Sequence, residues 1–184
     1  AVFVEDKVVK VKPDERKISL HSGNEIPYDA ISLNTGSFVP VAESMLAAET
    51  VFTVKPIENL LKARRKIVDI LKNQELTATV VGGGPTGVEV AGNLDRLVRN
   101  ESGKCRITLV AGTPLLAQFK GSVRQRALNS LRGRDVQVLE GARLSAIKDG
   151  TVELSDGAVL DSDIIFMAIG IKPSPLFEDS GLPT

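Results

Sequence analysis

The chain has 184 residues, enough for one domain with a substantial core or one domain with a piece of another. Hydrophobic residues at 42% and charged residues at 25% describe a folded globular protein, not a disordered one. Lys plus Arg and Asp plus Glu number 23 each, so no cationic excess exists for a nucleic-acid surface, and nucleic acid is excluded as a partner.

Residues 1–40 alternate as short strands. Val8–Lys12 precedes a turn at Pro13-Asp14-Glu15-Arg16, Lys17–Leu20 precedes a turn at Ser22-Gly23-Asn24-Glu25, and Tyr28–Leu33 forms a further strand closed by Asn34-Thr35-Gly36-Ser37. His21 falls in a polar turn without a metal-binding or catalytic partner and reads as a surface residue. Residues 38–55 carry weak signals and read as a connector. Residues 57–73 form a helix, with Ile57, Leu60, Leu61, Ile67, Ile70 and Leu71 on a stripe and Pro56 ahead of it. Its basic run, Lys62-Ala63-Arg64-Arg65-Lys66, reads as a solvated helix face.

The period then changes. Leu76–Val81 is a β-branched strand that runs into Gly82-Gly83-Gly84-Pro85-Thr86-Gly87. Pro85 opens a helix through about Arg99, with Val90, Leu94 and Leu97 on one face. Arg106–Val110 is the second core strand. Cys105 opens it as a small core residue, and as the single cysteine it leaves no disulfide or dithiol centre within the chain. A helix at 121–132 and a strand at Val136–Leu139 follow. Short strands at 142–147, 151–154 and 158–160 are separated by Asp149-Gly150 and Asp156-Gly157, which predict type I′ hairpin turns. Ile164–Met167 closes the sheet and Ala168-Ile169-Gly170 ends it. The apolar run Ile164–Ile171 is eight residues long, against the roughly 20 a membrane-spanning helix needs. The expected fold is therefore α/β: a Rossmann-like parallel sheet with an antiparallel hairpin insert, plus flanking antiparallel strands. The expected divisions are 1–40, 41–74 and 75–184.

The glycine loop carries the chemistry. A strand before it, a helix after it and a second strand about 25 residues on form the dinucleotide-binding context. Gly82 turns the chain out of the strand, Gly84 lets a pyrophosphate approach the backbone, and Gly87 lets helix and strand pack closely. The helix N-terminus offers N–H donors and the positive end of its dipole to phosphate, Pro85 removes no needed donor, and Thr86 can add a hydroxyl. Glu89 either favours the helix N-terminus as an anion or faces the nicotinamide side of the pocket. The acid expected to grip the adenosine ribose belongs at the end of the second strand, where Ala111-Gly112-Thr113 stand. Glu101 precedes that strand and is rejected. No Arg or Lys follows before Lys120, so NAD and NADP remain equally open.

Val80-Val81-Gly82-Gly83-Gly84-Pro85-Thr86-Gly87-Val88-Glu89 resembles the nucleotide-domain signature of the two-dinucleotide-domain flavoproteins, the pyridine nucleotide–disulfide oxidoreductase superfamily. With Ala91-Gly92 following, it is similar to the type II NADH dehydrogenase branch. Tyr28-Asp29 to Thr35-Gly36-Ser37 resembles the strand that returns to the flavin domain and ends beside FAD. Asp163 to Gly170, with Lys172-Pro173 after it, resembles the strand closing the nucleotide domain. The resemblance implies NAD(P)H bound across Gly82–Glu89, Ala111-Gly112 and Ala168-Ile169-Gly170, with FAD touching Thr35-Gly36-Ser37 in the intact protein. It implies electron transfer to a quinone or a redox protein, no metal, and no acid or base supplied by this chain. The first FAD loop is expected before Ala1 and the last flavin-contacting segment after Thr184. A central piece of that kind would bind nucleotide and catalyse nothing alone. The expected place is the cytoplasm, either free or peripheral at the inner face of the membrane, with any anchor outside this chain. Two alternatives are a sulfide:quinone-type flavoprotein and a non-catalytic nucleotide-sensing module.

Overall fold

The computed structural model describes residues 1–184 apart from 47, 149 and 184, and the side chains of 43 and 44 are also left aside. In chain order the elements are β1 (Val8–Lys12), β2 (Lys17–Leu20), β3 (Glu25–Pro27), β4 (Ser37–Phe38), α1 (Glu43–Leu46), β5 (Val51–Thr53), α2 (Glu58–Leu71), β6 (Leu76–Val81) and α3 (Pro85–Asn100). After these come β7 (Cys105–Ala111), α4 (Gly121–Arg132), β8 (Gln137–Glu140), β9 (Leu144–Lys148), β10 (Thr151–Leu154), β11 (Val159–Asp161), β12 (Ile164–Met167), β13 (Lys172–Pro173) and α5 (Leu176–Asp179). They divide into two compact units, 1–38 with 172–184, and 39–171.

The smaller unit is a β1-β2-β3 antiparallel meander and a β4–β13 antiparallel ladder. Val11, Leu20 and Leu176 form its buried apolar set, and the Val11 N–H donates to Ser180 Oγ at 2.8 Å. The third strand differs from the expected Tyr28–Leu33. The tight turn after Leu20, with Gly23 at φ +88°, starts β3 at Glu25. The last bond of that edge is Tyr28 N–H to the Arg16 carbonyl at 2.9 Å, and Arg16 already belongs to the turn between β1 and β2. Beyond it residues 28–33 have no neighbouring strand among the described residues, and an apolar alternation without a partner forms no ladder. His21 is exposed, as expected.

The larger unit is built on a five-stranded parallel sheet in the order β5-β12-β6-β7-β8. Its period of two separates the faces. Ala78, Val80, Ile107, Leu109, Ile164 and Phe166 pack with Ala63, Ile67, Ala91, Leu94 and Leu128 of the helices. Val81, Val110, Ile165 and Met167 pack with Val152 and Leu154 of the antiparallel β9-β10-β11 sheet. Each fully buried Leu, Ile or Val on these faces contributes about 1.5–3 kcal/mol. The sheet is pinned at its amino edge by Asp163, whose carboxylate accepts from the Thr77 N–H at 2.7 Å and Thr77 Oγ1 at 2.8 Å. The hydroxyls of Thr79 and Ser162, both buried, satisfy each other.

Two further expectations differ from the structure. Residues 51–53, read as connector, form the edge strand β5, paired with β12 from Ile165↔Val51 to Met167↔Thr53. Residues 39–171 cluster with the parallel sheet and 172–184 with the meander. The Asp156-Gly157 turn has one left-handed residue, Gly157 at φ +87°, where a type I′ turn needs two. Gly157 N–H bonds to the Leu154 carbonyl and Leu154 N–H to the Ala158 carbonyl, the pattern of a three-residue hairpin loop with a left-handed glycine. Gly150 has φ +80°, and Asp149 lies outside the described residues. The basic run on α2 is a solvated face, with Lys62, Arg64 and Arg65 exposed.

Candidate functional site

The carboxyl ends of β6, β7 and β12 open into a cavity of about 590 Å³, whose lining includes Gly82, Gly112, Thr113, Arg143, Met167 and Ile169. A crevice beyond the carboxyl ends of parallel strands is where ligands of such sheets bind. The glycine loop enters its wall at Gly82. Gly82 has φ +140°, and a Cβ there would lie 2.2 Å from the Ala168 carbonyl oxygen. The loops after β6 and β12 therefore touch backbone to backbone. Ala168 is held by its own N–H bonding to the Val81 carbonyl at 2.8 Å, Ile169 lines the cavity, and Gly170 takes φ +104°. A Cβ at Gly87 would lie 1.8 Å from the Gly82 carbonyl oxygen, so the first turn of α3 rests on the loop itself.

Gly84 is different. No atom lies within 4 Å of where its Cβ would be, so packing does not account for the glycine, and the space above it suits the close approach of a ligand. It is also the N-cap of α3, with extended backbone, no side-chain capping bond and Pro85 next. Uncapped N–H groups, a helix dipole and open space over the cap form an anion cradle, and the residues fit a pyrophosphate. Pro85 and Thr86 are exposed at its lip.

Gly83 was given no separate role by the motif, and the structure supplies one. Its Cβ would lie 2.6 Å from that of Ala111. Ala111 is fully buried on the helix face with Ile107 and Leu109, beneath the glycine loop, and does not line the cavity. The next residue, Gly112, does line it, with Arg143 Cγ 3.0 Å and Arg143 Nε 3.4 Å from where a Cβ would stand. Arg143, missed in the sequence, comes from the segment before β9, and no local pattern places it opposite Gly112. Glu89 is exposed and lines a groove between α3 and α4 with Gly92, Asn93 and Arg96, not this cavity.

The segment after β7 is braced from two sides. The Leu116 N–H donates to the Gly83 carbonyl at 2.8 Å, and Leu116 itself takes φ +53°. The Leu115 N–H donates to Glu140 Oε1 at 2.5 Å, and Arg124 Nη2 donates to both oxygens of that carboxylate. The Leu115 amide, followed by the Arg124 guanidinium, holds the Glu140 carboxyl below its ordinary range. Cys105 lies at the opposite, amino end of β7, and burial followed by nearby carboxylates pushes its thiol up to about 12. It is a packing residue without thiolate chemistry near neutral pH. Among the described residues no group of His, Cys, Asp and Glu is arranged to hold a metal ion. Thr35, Gly36 and Ser37 belong to the smaller unit, with Gly36 at φ +71° in the turn leading into β4 and Ser37 paired with Pro173.

Residues 1–184 match the family model described as pyridine nucleotide-disulphide oxidoreductase. The chain belongs to this family. Among its relatives is a type II NADH:quinone oxidoreductase of Mycobacterium tuberculosis, 29% identical over 180 residues, which cover 84% of this chain and 39% of that protein. An NADH dehydrogenase-like protein of the same species is 26% identical over 182 residues, covering 94% of this chain and 46% of that protein. The chain thus spans less than half the length of these relatives. A ferredoxin reductase from Rhodopseudomonas palustris has a TM-score of 0.83 at 23% identity, over 98% of this chain and 44% of that one, and shows the shared fold.

Proposed function

We propose that this chain is the NAD(P)H-binding part of an FAD-dependent oxidoreductase of NADH dehydrogenase type. When bound, the cofactors supply the redox chemistry, hydride passing from NAD(P)H to FAD and electrons passing on to a quinone or another acceptor. The observation that carries the reading is Gly84, a glycine required neither by packing nor by φ, capping an open helix N-terminus two residues after Gly82, which lines the cavity. The pyrophosphate rests on the Gly84–Gly87 turn with Thr86 beside it, and Gly82 and Gly83 hold that turn in place. The Ala168-Ile169-Gly170 loop, braced on Gly82, borders the nicotinamide. Thr35-Gly36-Ser37 provides the flavin-contacting turn, with Gly36 required by its left-handed φ. The kinship with a type II NADH:quinone oxidoreductase supports the choice of acceptor.

This chain's residues orient and exclude water; none is required as acid, base or nucleophile. Cys105, with its raised thiol and its place at the amino end of β7, offers nothing to a sulfide:quinone route. A nucleotide-sensing module would bind equally well, and rapid mixing of the full protein with NADH separates the two, since only the oxidoreductase bleaches a flavin band. No helix among the described residues is long and apolar enough to cross a membrane. A cytoplasmic location, free or peripheral at the inner membrane face, is part of this proposal.

The test is calorimetric titration of NADH and NADPH into the chain and into its Gly84→Val variant. A branched side chain in the open space above the cap is expected to weaken binding at least about 100-fold. The unfolding midpoint should barely move, since nothing lies within 4 Å of the new Cβ. Unchanged affinity in a folded variant would falsify the reading.

A further inference from the structure

We propose that Arg143 is the selectivity residue of this site: it binds the 2′-phosphate of the adenosine ribose, so that the chain takes NADPH in preference to NADH. The inference rests on the nucleotide-binding reading above and names which of the two nucleotides it concerns.

Three observations carry it. The first is the charge inside the cavity. Of the side chains that line it, Thr113 and Arg143 are polar, and Arg143 alone among the described residues is charged. Among the described residues no carboxylate lines it, so a ribose 2′-hydroxyl finds no anionic acceptor from them, whereas a phosphate finds a cation. The second is position. A dinucleotide's adenosine ribose lies beyond the carboxyl end of the second strand of its β-α-β unit, where an acid reads the hydroxyl or an Arg accommodates the phosphate. That strand is β7. Sheet parity turns Ala111 to the helix face, so the residue facing the cavity at this end is Gly112. The Arg143 stem crosses over it, with Cγ 3.0 Å and Nε 3.4 Å from the Gly112 Cβ position. Gly112 has an ordinary φ, so its smallness is explained by the crossing arginine rather than by the backbone.

The third is that the guanidinium is uncommitted while its backbone is fixed. The Arg143 N–H donates to Ser155 Oγ at 3.2 Å, and the Arg143 carbonyl accepts from the Ser155 N–H at 2.8 Å. Yet Arg143 forms no ion pair among the described residues. A planar fork of donors on an anchored stem is suited to bidentate contact with a phosphate.

The experiment is calorimetry on the full chain with NADPH, NADH, adenosine 2′,5′-bisphosphate and adenosine 5′-diphosphate. Wild type is expected to favour NADPH over NADH, and the 2′,5′-bisphosphate over the diphosphate, by about 10- to 100-fold at low salt. The preference should shrink as ionic strength rises. Arg143→Gln should weaken the two 2′-phosphorylated ligands by about the same factor and the other two by less than about threefold. Gly112→Val keeps the arginine but displaces its stem, and should lose the same preference with the fold retained. Equal or tighter NADH binding by wild type, or an Arg143→Gln variant that weakens all four ligands alike, overturns the assignment while leaving the nucleotide site standing. Failure of wild type to bind either dinucleotide removes the nucleotide-binding reading, and this inference with it.

Discussion

At the carboxyl end of β6 three of four glycines are walled in by atoms of the chain itself. At the carboxyl end of β7, one strand away, Gly112 meets only the flexible stem of an arginine. Gly82 and Gly87 face carbonyl oxygens at 2.2 and 1.8 Å, and Gly83 faces Ala111 Cβ at 2.6 Å. The first end is therefore fixed by backbone geometry before any ligand is considered. The second tolerates different residues without disturbing the sheet. The difference teaches where information about a ligand can reside: the β6 loop can say only that a phosphate-bearing group is bound, and the β7 end can say which one. Within the β6 loop, Gly84 alone belongs to the second kind.

The sharpest break in that comparison comes from Gly87→Ala. One methyl would overlap the Gly82 carbonyl oxygen, a backbone atom that cannot rotate away. The first turn of α3 would have to lift from the loop, with a loss of about 3 kcal/mol or more. Urea unfolding of the variant should show a strongly lowered midpoint or no folded baseline. A variant as stable as wild type, with only nucleotide affinity reduced, would put Gly87 in the class of Gly84 and erase the distinction.

Gly83→Ala is expected to be milder, about 1–2 kcal/mol, because the opposing atom is a methyl rather than a carbonyl. Its neighbour offers a control. In Gly83→Ala combined with Ala111→Gly the methyl moves from one side of the contact to the other. The double variant should therefore be more stable than the sum of the single losses by at least about 0.5 kcal/mol. Strict additivity in chemical denaturation would mean that the two positions do not touch.

The same asymmetry governs how much could be read from the sequence. The β6–α3–β7 unit was legible because each part is local: a β-branched run, four glycines, a proline at N1 and an apolar stripe on the helix. The cofactor-cradling role proposed for Gly84 follows from that pattern directly. What was not legible depends on pairing across long sequence separations. Val51-Phe52-Thr53 is three residues of modest apolarity, and becomes a strand because β12, more than a hundred residues later, lies beside it. Residues 28–33 show the converse, an alternation that finds no neighbour. The orientation of Ala111 required knowing the strand's parity against the helices, and Arg143 required knowing that the segment before β9 folds over the end of β7. Glu140 is the third such residue, an acid at the end of β8 with no sequence signal of its partner at Leu115.

Glu140 gives the smallest effect and tests whether the variable end of β7 is held from outside the loop. Its carboxylate accepts the Leu115 N–H and two bonds from Arg124, and the side chain is about one-third exposed at 32%. Solvent screening therefore limits its worth to about 1 kcal/mol. The Leu115 amide and then Arg124 lower the folded-state pKa, so the carboxylate is the better-bound form. A group with a depressed folded pKa stabilises fully above its unfolded value, near about 4.3 for glutamate, and loses that stabilisation as pH falls through the folded value. Glu140→Gln should accordingly be less stable than wild type by about 1 kcal/mol at pH 7. The gap should narrow once pH drops below the ordinary glutamate range, because wild type then protonates the same oxygens. Urea midpoints for both proteins at pH 7 and pH 3 measure it. In the nucleotide titration at pH 7, freeing Leu115 should loosen the segment carrying Gly112 and Thr113, with a threefold to tenfold loss that is similar for NADH and NADPH. A gap in stability that persists unchanged at pH 3 would show that Glu140 acts through packing rather than charge, and the brace on the β7 end would have to be sought in the Leu116 to Gly83 bond instead.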